Sequence, residues 1–196
     1  NGTDGHEVPT GFIAERSLFL EVTVRDAEGE VVFVSGDTDP NGDVRDLHSL
    51  YVHNHELPLD EQLFSLQSKF LVNLARGGER EQVLAINHSA DPLPFLRPSP
   101  LSTITTGRPL GARIHRVSIG PLESRWANYE VSAEELTGAA PYSVRARLIA
   151  GMIPPNLVDE IQHVGFDYGL SPREVAARVV AGRQVLWDEE VVLGAE

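Results

Sequence analysis

Between Ser17 and Arg25 apolar and polar side chains alternate, and this alternation constrains the fold more than any other stretch of the chain. Leu18, Leu20, Val22 and Val24 fall on one side, and Glu21, Thr23 and Arg25 on the other. Successive side chains of an extended backbone point to opposite faces, so a period of two marks a strand with one buried face. Asp26-Ala27-Glu28-Gly29 supplies turn residues, and residues 30–35 return as the second arm of a hairpin. The same alternation recurs over 142–150, with Tyr142, Val144, Ala146 and Leu148 set against Ser143, Arg145 and Arg147. Residues 63–74, 81–87, 112–119 and 126–131 are further strand candidates. About seven short strands separated by turns predict a mainly β chain, an antiparallel β-sandwich.

The end of the chain changes character. Pro154-Pro155 opens a segment with Leu157, Ile161 and Val164 at helical spacing, closed by Gly165. Ser171-Pro172-Arg173-Glu174 reads as a capping box with proline at the first helical position, and Gly182 ends that helix. The expected organisation is a sandwich over 1–152 and a helical C-terminal extension over 153–196, with two short helices packed on it. Two long connections stand out. Residues 36–62 are rich in Asp, Gly, Asn, His and Pro, and a connection of that length usually carries function or small elements of its own. Residues 89–111 are proline-rich and read as a surface loop.

At 41% hydrophobic the chain can build a core. It holds no apolar run near the ~20 residues that span a bilayer, so no membrane span is expected. It opens at Asn1 without a charged-then-apolar leader, which suggests processing or excision from a larger polypeptide. The net charge is −13, concentrated in residues 1–61, where 14 acids face 3 bases. That balance argues against nucleic acid as a partner, because phosphate binding needs a basic face. Solubility accounts for it most simply; steering of a cationic partner is the functional alternative. There is no cysteine. Disulfides, thiolate metal sites, a cysteine nucleophile and covalent haem attachment within this chain are therefore excluded.

Three stretches carry candidate chemistry. In Gly5-His6-Glu7-Val8-Pro9-Thr10-Gly11, His6 sits between residues that let backbone approach and fix its direction, as suits an iron or metal ligand. The plain alternative is a loop histidine with local hydrogen bonds. In His53-Asn54-His55-Glu56, an extended backbone would project His53 and His55 from one face, as two ligands of one metal. Asp60 or Glu61 would add a carboxylate, and Pro109-x-Gly111 before His115 echoes, with its spacing off by one, the second half of a cupin-type site. A polar loop rich in histidine, with His48 nearby, is the bland reading. In Asp37-Thr38-Asp39-Pro40-Asn41-Gly42-Asp43, oxygen ligands at positions 1, 3, 5 and 7 with glycine at 6 match the start of a calcium loop. The match then fails, since His48 stands where a bidentate Glu belongs; a turn explains the same residues. Trp126, Tyr129, Phe166, Tyr168 and Trp187 are spaced irregularly. Core packing is the simplest reading, and a sugar-binding platform the functional one.

The first motif also carries a resemblance. Gly5-His6-Glu7-Val8-Pro9-Thr10-Gly11, then Arg16, then Val24-Arg25-Asp26-Ala27-Glu28-Gly29, resembles a pattern in multihaem c-type cytochromes. Gln67-Ser68-Lys69-Phe70, residues 94–98, Tyr142-Ser143-Val144-Arg145-Ala146-Arg147-Leu148 and Gly165-Phe166-Asp167-Tyr168-Gly169 are similar to parts of the same kind of domain. The likeness covers most of the chain. It implies the haem-free C-terminal β domain of such a protein, periplasmic or extracellular, in electron transfer. It also implies a haem-bearing segment or subunit as partner and a haem c attached elsewhere, which His6 of the first motif would ligate; His53 and His55, from their spacing, are further candidates for an axial position. A homo-oligomer or filament fits the same reading. The departure is the missing Cys-x-x-Cys-His motif, so any electron-transfer role depends on another segment.

Hydrolase signatures are missing: there is no Gly-x-Ser-x-Gly, no phosphate-binding glycine loop and no His-Glu-x-x-His. No self-contained catalytic site is expected. Two alternatives stand beside the cytochrome reading: a cupin-like metal-dependent enzyme using His53 and His55, and a non-catalytic binding or assembly β-sandwich domain.

Overall fold

The computed structural model describes residues 5–9, 16–67, 69–73, 79–82, 112–115, 117–161 and 169–194. The chain is mainly β. Strands β1 (Ser17–Arg25), β2 (Val31–Ser35), β6 (Tyr142–Gly151) and β7 (Gln184–Leu193) form one antiparallel sheet in the order β2-β1-β6-β7. Strands β3 (Lys69–Asn73), β4 (Glu79–Gln82) and β5 (Ala112–His115) form a second, in the order β4-β3-β5. Three short helices are described: α1 (Leu50–His53), α2 (Pro155–Ile161) and α3 (Pro172–Ala181).

The two stretches of clearest alternation form the centre of the first sheet. β1 pairs with β6 along its whole length, from Ser17 opposite Gly151 to Arg25 opposite Ser143. Val22, Val24 and Phe33 are the buried nucleus on one face, with Tyr142, Val144 and Ala146 of β6 and Tyr129, Val131 and Leu136 packed against it. On the other face Arg147 pairs with Glu21, and Arg145 grips Asp188 with two hydrogen bonds of 2.8 and 2.6 Å. Alternation alone would leave Phe19 on this polar face, yet it is 1% exposed. Ile149, directly opposite on β6, is buried too, and the Arg183 guanidinium lies 5.4 Å from the Phe19 ring centroid. The first half of β1 is thus covered on both faces.

Several expected elements take a different form. Residues 63–74 split: Phe64 and Leu66 bond to the β1 backbone, Leu20 N–H to Phe64 O at 3.0 Å and Leu66 N–H to Leu18 O at 2.8 Å, and β3 begins only at Lys69. β1 therefore changes partner along one edge, from the 64–66 segment to β2. No strand forms over 126–131. The Gln62 side chain takes the place of a strand there, donating to Glu130 O at 2.8 Å and accepting from Glu130 N–H at 2.7 Å. That pair satisfies both backbone groups that a ladder would have used. Of the 81–87 candidate only its start lies in β4, and 83–87 fall outside the described residues, as does the 89–111 loop. Of the 112–119 candidate, Ala112–His115 form β5, residue 116 lies outside the described residues, and Ile119 makes an isolated bridge to Val8.

The capping box at α3 forms as the sequence predicts. Ser171 Oγ accepts from Glu174 N–H, and Glu174 Oε2 accepts from Ser171 N–H at 2.8 Å. Residues Val164 and Gly165, expected to close the preceding helix, lie outside the described residues. After α3 the tail is not helical: β7 runs for ten residues as the last strand of the main sheet. Its apolar blocks Val185-Leu186-Trp187 and Val191-Val192-Leu193 flank three acids, so no period of two announces it.

Candidate functional site

The segment around His6 is anchored by its backbone. Val8 and Ile119 exchange both amide hydrogen bonds, at 3.0 and 2.9 Å. Ser118 Oγ donates to Glu7 Oε2 at 2.8 Å, and Pro9 is buried. His6 is exposed, two residues from the bridged position. The His6 side chain is thus exposed on a backbone held to the 118–119 segment. Thr10 and Gly11 lie outside the described residues.

The acidic loop that follows β2 is organised around its own carboxylates. Asp37 pairs with Arg45 at 2.6 Å. Asp39 Oδ1 accepts from the N–H groups of Asn41 (2.7 Å) and Asp43 (3.1 Å), while its Oδ2 accepts from Ser49 Oγ at 2.6 Å. Asp43 Oδ1 accepts from Asn156 N–H at 3.0 Å, and Asn156 Nδ2 donates to His48 O at 3.2 Å. His48 Nδ1 lies 3.2 Å from Asp46 Oδ2. The oxygens offered by Asp37, Asp39, Asn41 and Asp43 as a calcium set are therefore not assembled as one. Asp39 closes an Asx-type turn, Asp43 ties the loop to α2, and Asp37 is neutralised by arginine. Among the described residues no three His, Asp or Glu side chains are grouped as a metal site requires.

Asp43 and its neighbours were not legible as a cluster. Arg183 donates to Gly42 O at 2.6 Å and Gly42, at φ +92°, lies against Val180 of α3. The loop is in this way bound to α2, α3 and the start of β7. Burial pushes the Asp43 carboxyl up to about 7; Asp39 and Asp46 push the same way, against the Asn156 N–H and Arg183. Burial also lowers the Arg183 pKa, opposed by Asp43 and Asp39. A carboxyl whose folded pKa is raised stabilises the fold fully below its unfolded value of 3.8, and that contribution is lost as pH rises through about 7. The thermal midpoint is expected to fall between about pH 4 and about pH 7, and Asp43→Asn to flatten that fall. The amide keeps an acceptor for Asn156 and carries no charge to desolvate, so the variant gains most at the higher pH. Equal slopes for the two proteins in melts followed by circular dichroism would contradict this assignment.

The His53/His55 pair depends on an extended backbone, which the structure does not have. Ser49 caps α1, its hydroxyl accepting from Val52 N–H at 3.3 Å, and His53 is the last residue of that turn. His55 follows at φ +61°, exposed. Asp60, the proposed third ligand, instead receives Ser35 Oγ at 3.0 and 2.9 Å, Gly36 N–H at 2.6 Å and Gln62 N–H at 3.1 Å. Its carboxylate closes the long connection onto the end of β2. Glu61 is exposed, and His115 lies in β5 opposite Lys69. The cupin-like arrangement loses its geometric premise.

Beside Asp60 opens a cleft of about 800 Å³, lined among others by Glu61, Phe64, Trp126, Asn128, Val131 and Glu135. Trp126 is 87% exposed and Trp187 46%, so core packing fails for both tryptophans. Tyr129 does pack on the core, and burial, with Asp60 nearby, pushes its hydroxyl up to about 12. Phe166 and Tyr168 lie outside the described residues.

No known protein family matches the chain, and no curated protein is similar to it. Among solved structures it is similar to a penta-heme cytochrome c552 from Thermochromatium tepidum, with 19% identity and a TM-score of 0.48. The match takes in 96% of this chain and 33% of the cytochrome, so the chain spans about a third of that protein's length. No described helix is long and apolar enough to cross a membrane.

Proposed function

We propose that this chain is the accessory β domain of a multihaem c-type cytochrome outside the cytoplasmic membrane, and that it presents His6 to an iron held by another segment. The reading rests on the resemblance carried by Gly5-His6-Glu7-Val8-Pro9-Thr10-Gly11 and the later stretches. The observation that carries the ligand role is an exposed His6 on a backbone clamped at Val8–Ile119. A chain without cysteine cannot attach haem c itself, but an anchored imidazole fits the second axial position of a haem attached elsewhere. The clamp would hold the imidazole in place without a large loss of loop entropy on ligation. The rest of the domain would shield the haem edge from water.

The test is an ultraviolet–visible spectrum of the native haem-bearing assembly with and without His6→Ala. The expected result is a c-type spectrum whose low-spin features give way to high-spin ones in the variant. A c-type spectrum that His6→Ala leaves unchanged keeps the cytochrome setting and removes the ligand role. An assembly without haem absorbance ends the reading altogether.

A further inference from the structure

β7 ends the four-stranded sheet, and among the described residues nothing pairs with its outer edge. It is exposed along its whole length, with Val185, Leu186, Trp187, Val191, Val192 and Leu193 each 46–58% exposed. Exposed edge strands are normally kept short or guarded by charged side chains, lysine above all, or by proline, because unpaired backbone groups template further pairing. β7 is long, carries neither lysine nor proline, and confines its charges to Asp188-Glu189-Glu190, leaving the apolar block on each side unguarded. A β-sheet edge bearing two apolar blocks is the geometry that strand addition uses.

The occupant is decided by charge. Asp188-Glu189-Glu190 stands in the middle of the strand. If two copies paired antiparallel with their full lengths matched, Asp188 would face Glu189 across the axis, twice. A one-residue slip would set Asp188 against Glu190 and Glu189 against itself. Like charges directly opposite are destabilising, and each copy brings a net charge of −13 to the approach. A second copy is thus a poor fit. On the face shared with Tyr142, Val144, Ala146 and Leu148 of β6, β7 offers Trp187, Glu189, Val191 and Leu193. On the opposite face Arg145 already holds Asp188, and Glu190 stands directly across from Arg145.

We propose that β7 is a docking edge for an extended segment of a different polypeptide, in which basic residues stand between apolar ones. The partner strand would continue the sheet, set cations beside Glu189 and Glu190, and cover Trp187, Val191 and Leu193. Docking at β7 makes no use of His6, and the inference stands or falls independently of the haem reading.

The probe is a synthetic peptide of the length of β7, alternating Val and Thr, with Arg and Lys at its centre; a second peptide carries Glu at those positions. Amide shifts and hydrogen exchange of the whole chain report the contact. The expected result is protection confined to the 184–193 amides, with the basic peptide bound about ten-fold more tightly than the acidic one. Glu189→Lys, at an exposed position, should narrow or invert that preference while leaving the circular dichroism spectrum unchanged. Protection elsewhere, equal affinity for the two peptides, or no shift at millimolar peptide overturns the proposal. So does a dimer in sedimentation that Val191→Lys dissolves, which would assign the edge to a second copy.

Discussion

Phe19→Ala is expected to destabilise the chain by about 3–5 kcal/mol, the range for emptying a fully buried aromatic site. Phe19 is 1% exposed and sits in a strand paired on both edges, to β6 at Ile149 and to Ser65 on the other side. Neither neighbour can slide into the space without breaking backbone hydrogen bonds, of the β1–β6 ladder on one side and of the 64–66 segment on the other, so the cavity should stay open. The ring also carries the Arg183 guanidinium at 5.4 Å. Removing it leaves a half-buried cation without the aromatic face beneath it, and that adds to the transfer loss. The measurement is the urea midpoint at constant slope. Leu20→Ala, half-buried in the same strand, is the control and should cost less. A Phe19→Ala loss below about 1.5 kcal/mol would show that the site collapses, and that its burial does not reflect rigid packing.

Gly36→Ala should cost about 2–5 kcal/mol by two additive routes. Gly36 has φ +76°, a conformation that L side chains rarely adopt, and a methyl there would run into the Leu20 carbonyl. Its N–H also donates to Asp60 at 2.6 Å, so any shift that relieved the overlap would strain the bond closing the acidic loop. Gly29 separates the two routes. It has φ +86° with nothing within 4 Å of an added Cβ, so Gly29→Ala should show only the conformational cost, about 1–2 kcal/mol. Equal losses at the two positions, read from the same urea titrations, would remove the steric route.

How far the sequence spoke depended on whether each signal was local. β1, β6 and the α3 capping box could be read because a strand's period and a cap's spacing are properties of consecutive residues. The 126–131 stretch has strand composition, but its backbone partner is the Gln62 side chain, sixty-eight positions away from Glu130, and no periodicity encodes that. β7 was hidden for the opposite reason. A strand exposed on both faces has no need of alternation, so its blocks of Val and Leu looked like nothing regular. For the candidate ligands one local cue was available: Ser49 ahead of Leu50-Tyr51-Val52 is a helix cap, and it already argued against an extended His53–His55 pair. The ties among Asp43, Asn156 and Arg183 join distant parts of the chain through single hydrogen bonds, and only coordinates display them.

The strand order also sets a schedule for synthesis. β1 and β2 leave the ribosome before β6 does, yet β1 is an inner strand whose neighbour β6 begins only at Tyr142. Until that point is translated, the hairpin must wait with Leu18, Val22 and Val24 uncovered and one ladder open. Closing so long a loop is slow compared with forming the hairpin itself. The nascent chain therefore passes through a stage in which its best strand is its most adhesive one, and the longer that stage lasts the more chain is open to aggregation.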